Sequence, residues 1–182
     1  MIDCHYQFAV QTLTPPTDLP VSLTVAQQQT NAVAGDDDAL LDRLIRTAAE
    51  KVESDTSLLF LPRTIRVTMW DLGALPNELE LPSSHFPITA INTIQYRDAQ
   101  GVLTPMPSVW QSQLLARPSR IAIRPFQTWP TIGVGYYDQI IIDAIAGLAA
   151  VPAMAQQAML LLIAHWYLHR EATAVALPRE ID

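Results

Sequence analysis

Residues 151–171, VPAMAQQAMLLLIAHWYLHRE, constrain this chain more than any other stretch. Pro152 suits the first turn of a helix, where its missing N–H costs nothing, and the residues after it are mostly strong helix formers with no Gly or further Pro. The pattern predicts a helix. From Ala158 to Tyr167 the only polar side chain is His165. Stepping round at about 100° per residue therefore leaves the middle turns without a solvated face. Such a helix must be covered on nearly every side, by other segments or by other copies of the chain. Gln156 and Gln157 at the start and Arg170 and Glu171 at the end mark where it emerges, and Arg170 suits the negative end of the helix dipole.

A chain of 182 residues is long enough to bury that helix in one core without staples. With 11 basic and 18 acidic residues the net charge is −7, which argues against a surface that wraps nucleic acid by neutralising phosphates. DNA can pass near such a protein without sticking to it. Cys4 is the only cysteine, so there is no intramolecular disulfide and a reducing compartment is acceptable. The start, MIDCHYQFAV, lacks a basic stretch followed by an apolar one, so no secretion signal is expected. The two most apolar windows, 139–154 and 159–168, are too short or too interrupted to span a bilayer. Fourteen prolines against six glycines suggest short elements joined by stiff, extended connectors.

Taken in order, residues 1–20 read as an N-terminal arm: a short alternating piece at 6–13, then Thr14-Pro15-Pro16-Thr17-Asp18-Leu19-Pro20, which three prolines hold extended. Ser22 can cap a short helix to about Ala32. Asp36-Asp37-Asp38 offers cap oxygens and negative charge to a second helix that runs to about Ser54. In it Leu40, Leu41, Leu44, Ile45, Ala48, Ala49 and Val52 form one buried stripe, and Asp42 stands four residues before Arg46 as a supporting pair. From 58 to 150 the pattern is strand-like. Ile65, Val67 and Met69 alternate cleanly, 78–81 and 88–96 are strands, and Arg97-Asp98-Ala99-Gln100-Gly101 turns into Val102-Leu103-Thr104 as a hairpin. Ile121 to Ile123 and Ile140 to Ile142 add strands with no helix between them, so the pairing is antiparallel. The fold class is α+β: a small helical bundle, two long helices plus a short N-terminal one, packed with a small antiparallel β-sheet and carrying extended arms at both ends. The boundaries are an arm at 1–20, helices at 21–57, a β-rich insertion at 58–150, the core helix at 151–172 and a tail at 173–182, all in one domain.

Signatures of chemistry are weak. His165 and His169 lie one turn apart with Glu171 close behind, but a helical zinc-protease motif needs Glu directly after the first His and here Trp166 stands there. A metal-dependent hydrolase using these three is a remote alternative; an interior, hydrogen-bonded His165 is the reading favoured. Gly133-Val134-Gly135 lacks the third glycine, the Lys and the helix of a nucleotide loop and reads as a turn. Cys4 is far from any helix that would activate it. Glu78 and Glu80 share a strand face that points to water. Trp70, Trp110, Trp129 and Trp166 lack interleaved basic residues and read as core or interface anchors. No catalytic residue, cofactor site or metal site is assigned, and an enzyme is not expected.

Several stretches together resemble the phage head-tail connector (head-completion adaptor) family, in particular its prophage branch. They are Pro20-Val21-Ser22-Leu23; Asp37 to Leu41 with Ile45, Ala48-Ala49 and Val52-Glu53; Leu81-Pro82 with Pro87-Ile88; and Ile94 to Asp98 with Gly101. Trp129-Pro130, Ala146-Gly147, Val151-Pro152, Gln157-Ala158 and AHWYLHRE from Ala164 continue the series. The match spans roughly 15–178. The resemblance implies a non-enzymatic structural protein of the virion that forms a homo-oligomeric ring under the portal, extends the channel through which DNA leaves and gives the tail a place to attach. Its partners would be the portal protein, further copies of itself and tail or stopper proteins, with no specific hold on DNA and no membrane. It would reside at the head-tail junction of the virion and, before assembly, in the bacterial host cytoplasm. A tail-assembly or other binding subunit outside the ring is the alternative. Partner contacts are expected from Leu177, Pro178, Arg179, Glu180, Ile181 and Asp182 on the portal. A neighbour or the tail would be met by the Pro15 to Pro20 connector or by the hairpin residues Arg97, Asp98, Gln100 and Gly101.

Overall fold

The computed structural model describes residues 7–72, 75–83, 87–114 and 116–169. The chain divides into two compact units. One takes the chain up to Asp18 together with Thr56–Ala150, and the other takes Leu19–Asp55 together with the chain from Val151 onward.

The first unit is all β. Its strands are β1 (Gln7–Thr14), β2 (Arg63–Trp70), β3 (Glu78–Glu80), β4 (Ile88–Arg97), β5 (Leu103–Pro105), β6 (Trp110–Gln113), β7 (Arg120–Ile123) and β8 (Ile140–Ala146). They form a five-stranded sheet in the order β1-β2-β8-β4-β5 and a three-stranded sheet in the order β3-β7-β6. Every pairing is antiparallel. The alternation of β2 sets the faces: Ile65, Val67 and Met69 point into the core, and their partners across β8 are Ala144, Ile142 and Ile140. The same rows continue to Ile91, Ile94 and Tyr96 on β4. Leu79 and Ile121 of the smaller sheet join this core cluster, with Trp110 and Trp129 packed at its margin. The apolar face of the large sheet thus finds cover in a second sheet, which the hydrophobic pattern did not reveal. Residues 7–14, read as part of an arm, lie as an edge strand on β2, and all eight are exposed.

On the other face a polar row crosses the sheet. Gln11, Arg66, Asp143 and Thr93 are successive partners on β1, β2, β8 and β4. Arg66 donates Nε and Nη2 to the two carboxylate oxygens of Asp143 at 2.7 and 2.8 Å, a two-pronged ion pair that fixes the register of the two central strands.

The second unit holds α1 (Leu23–Thr30), α2 (Asp38–Thr56) and α3 (Ala153–Leu168). The Ser22 hydroxyl accepts from the Val25 amide, the cap expected at α1, and Asn31 ends that helix in the left-handed region with φ 54°. Leu41, Ile45 and Ala48 are the fully buried part of the α2 stripe. The Asp run joins the three helices: Asp38 accepts from the Gln27 amide of α1 at 2.6 Å, and Asp37 accepts from the Tyr167 hydroxyl of α3 at 2.5 Å. Pro152 stands at the N-cap of α3, one position earlier than expected.

Candidate assembly interface

The β4–β5 hairpin is built as a rigid projection. Asp98 turns its carboxylate back to accept from the amides of Gln100 and Val102, both at 2.9 Å, so the loop is closed by its own first residue. Arg97 reaches the other way. Its guanidinium grips both oxygens of Asp138 at 2.5 Å, donates to the Gly101 carbonyl at 2.7 Å and lies over the Tyr136 ring, 5.4 Å from its centre. The hydrogen bonds to Arg97 hold the Asp138 carboxyl below the usual carboxylate range against the opposing effect of its partial burial. A Cβ on Gly101, where φ is +79°, would overlap the Tyr136 hydroxyl, and one on Gly133 would overlap the Asp98 carbonyl. Hence two of the four hairpin residues singled out from sequence, Arg97 and Asp98, have their charged groups engaged within the unit. Gln100 at the tip is exposed and Gly101 is half-buried.

That clasp holds the loop 133–138 against the ends of β1 and β2, where a cleft opens. Its lining includes Gln7, Trp70, Leu72, Val134, Tyr136 and Tyr137. Trp70 and Tyr137 meet edge to face with ring centres 6.4 Å apart, and the Trp70 indole N–H donates to the Gln7 side chain at 3.1 Å. Buried Gln139 forms the floor: it accepts from the Leu72 amide and donates to the Leu72 and Gly133 carbonyls, satisfying both ends of its amide. Tyr137 is nonetheless 81% exposed and Val134 69%. Sequence reasoning singled out Trp70 only as an anchor and missed the cleft, because its walls come from three separated segments.

A second apolar surface runs along α3. Met159, Leu160 and Ile163 are buried, and the helix packs on α1. Met154, Leu161 and Leu168, seven residues apart, are 86%, 58% and 73% exposed. Among the described residues, one stripe of a helix that the sequence requires to be covered all round is thus largely exposed. His165 lies on the same side and is exposed, which corrects the expected interior position; its ring stacks on His169 with centres 4.5 Å apart, and His169 Nδ1 lies 2.9 Å from the His165 carbonyl oxygen. Among the described residues no three His, Cys, Asp or Glu side chains are grouped to hold a metal. Glu171, the third member of the hydrolase alternative, lies outside the described residues. So do Leu177, Pro178, Arg179, Glu180, Ile181 and Asp182. Among the described residues no helix is long and apolar enough to cross a membrane.

No family model and no curated protein matches the chain. Solved structures do. A chain in the neck of an empty gene transfer agent particle, computed with C6 symmetry, is 27% identical over 94% of this chain and 89% of its own, with a TM-score of 0.65. A chain in the neck of the native particle, computed with C12 symmetry, is 25% identical over 94% and 88%, also at 0.65. A third, in the virion of the native gene transfer agent particle, has a TM-score of 0.66 at 24% identity and bears on the fold alone. The likeness to neck chains agrees with the head-tail connector resemblance and supports a structural connector subunit.

Proposed function

We propose that this chain is a head-tail connector (adaptor) subunit: copies of it form a ring under a portal protein, continue the channel through which DNA leaves and offer the tail or a stopper protein a place to attach. The observation that carries this reading is the likeness, over nearly the whole of both chains, to subunits of a neck with cyclic symmetry. The bare stripe of Met154, Leu161 and Leu168 gives the ring a physical motive, since a neighbouring copy would remove it from water. A net charge of −7 suits a channel wall past which DNA slides. The segment from Leu177 to Asp182 docks on the portal, and the rigid hairpin tip at Gln100 and Gly101 meets a neighbour or the tail. The subunit belongs to the head-tail junction of the virion and waits in the bacterial host cytoplasm before assembly.

Electron microscopy and light scattering of the pure protein, with and without the portal protein of the same particle, test the reading. Rings seated on the portal are expected. A protein that leaves the portal bare and joins only tail components is instead a tail-assembly subunit. Removal of residues 177–182 is expected to abolish portal binding, and unchanged binding would refute the role given to the tail.

A further inference from the structure

Among the described residues the β unit has four open strand edges, β1 and β5 on the large sheet and β3 and β6 on the small one. An open edge shows backbone N–H and C=O groups that an extended chain can pair with, so folded proteins blunt such edges with charge, proline or shortness. Two of the four are blunted. The Met106 amide donates to the Ile94 carbonyl at 2.8 Å, and in an antiparallel ladder every second residue turns the other way, so Pro105 of β5 faces outward and offers no N–H. The same count from the Leu81 amide on the Ser119 carbonyl turns the backbone of Glu78 and Glu80 outward on β3, and both carboxylates stay about half exposed beside Arg120. The other two edges have no such guard. β1 has no charge and no proline over eight exposed residues, and its register shift falls at its end. Val109 and β6 also have neither, and the Arg124 amide on the Val109 carbonyl turns the backbone of Trp110 and Ser112 outward.

We propose that β1 of one copy pairs with β6 of the next copy in the ring, joining the large sheet of one subunit to the small sheet of its neighbour. A closed ring requires two different, complementary patches on each chain. Pairing β1 with a second β1 would be two-fold and would stop at a dimer, so the partner edge is a different one, and β6 is the unguarded edge that remains. The faces agree as well. Phe8 and Val10 stand opposite Met69 and Val67 on the core side of the large sheet, yet they are 49% and 42% exposed. Trp110 and Ser112 stand opposite Ile123 and Ile121 on the core side of the small sheet. Joining the two edges with their core sides aligned sets Trp110 beside the apolar pair on β1 and brings Gln7 and Gln11 into line with Gln111 and Gln113 on the outer side. Main-chain hydrogen bonds then supply affinity, and the side-chain rows select the partner. This inference rests on the ring reading and names one of its contacts.

The test uses the full chain in a Cys4→Ser background. Gln11→Cys and Gln111→Cys, both at exposed positions, are introduced separately, one variant carrying a mass tag. The two are mixed, assembled with the portal protein and treated with a bis-maleimide that spans about 10 Å, roughly two strand spacings. A cross-link joining a Gln11→Cys chain to a Gln111→Cys chain is expected, with neither variant linking to itself. In parallel, Ser112→Pro gives β6 the blunt edge that Pro105 gives β5. It removes an outward N–H and none that faces β7, so the melting temperature of the isolated chain is expected to move little, while the subunit concentration needed for rings rises about fivefold or more. Gln11→Cys chains that link to one another, a link from either variant to a different neck component, or rings that form without the mixed cross-link overturn the proposal and leave the ring reading standing. Ser112→Pro rings at an unchanged subunit concentration do the same. If unmodified protein makes no ring with the portal, the ring reading itself fails and this contact fails with it.

Discussion

Single residues in the β unit separate groups that hold the fold from groups left for partners. The Asp143 side chain is 18% exposed, and its hydrogen bonds to Arg66 hold its carboxyl below the usual range, outweighing the upward push of partial burial. A carboxyl that binds fewer protons folded than unfolded stabilises the fold above its unfolded value, about 3.9, and that contribution fades as the pH falls through the lower folded value. Asp143→Asn is therefore expected to cost about 1–2 kcal/mol near neutral pH, read from urea midpoints, with the gap to the parent closing below about pH 4. A gap that stays constant down to pH 3 would show that the charge is not what the pair uses. The two glycines around Tyr136 make a second comparison. Gly133→Ala drives a Cβ into the Asp98 carbonyl, which is backbone and cannot swing away, and a loss of about 2 kcal/mol or more is expected. Gly101→Ala meets the movable end of the Tyr136 side chain, so Tyr136→Phe should recover part of its cost, while the same rescue should fail for Gly133→Ala.

At the scale of elements, α2 and the central strands were legible because each buries one regular set of positions, and α3 because its apolar run is unbroken by Gly or Pro. The α2 stripe with Leu41, Ile45 and Ala48 and the alternation of Ile65, Val67 and Met69 are such sets. Strand β6 was not legible. Trp110-Gln111-Ser112-Gln113 packs only its tryptophan on the core, and its strand state comes from pairing with β7, a long-range fact that periodicity does not record. The cleft was hidden for the same reason: Trp70, Gln139 and Tyr137 become neighbours only when β2 and β8 pair. With α3 the sequence asked for more cover than the described residues give, since Leu161 is left 58% exposed. That excess separates two substitutions on one helix. Ile163→Ala, at a fully buried position, is expected to cost about 2–4 kcal/mol and to lower the melting temperature of the isolated protein. Leu161→Glu is expected to leave that temperature within a degree or two and to prevent ring formation with the portal. Loss of folding at Leu161→Glu would mean that the stripe is covered within the chain.

For the whole molecule, the sign of the charge argues about function independently of any contact. A protein that holds duplex DNA neutralises phosphates and releases counterions, so its affinity is strong at low salt and falls steeply as salt rises. Eleven basic against eighteen acidic residues give this chain a field of the opposite sign, and assembly into a ring multiplies that field without changing its direction. Two basic side chains of the β unit are also committed within the fold, Arg66 to Asp143 and Arg97 to Asp138, and Arg120 is divided between Glu78 and Glu80. Neither the pure protein nor its portal-bound ring is therefore expected to retard a short DNA duplex at any salt between about 50 and 200 mM. Retardation at 50 mM that disappears by 200 mM would reveal a cluster of phosphate contacts and would replace a passive channel wall with one that grips DNA. A duplex that migrates freely at both salts is what a subunit must give if it stands around DNA without arresting it.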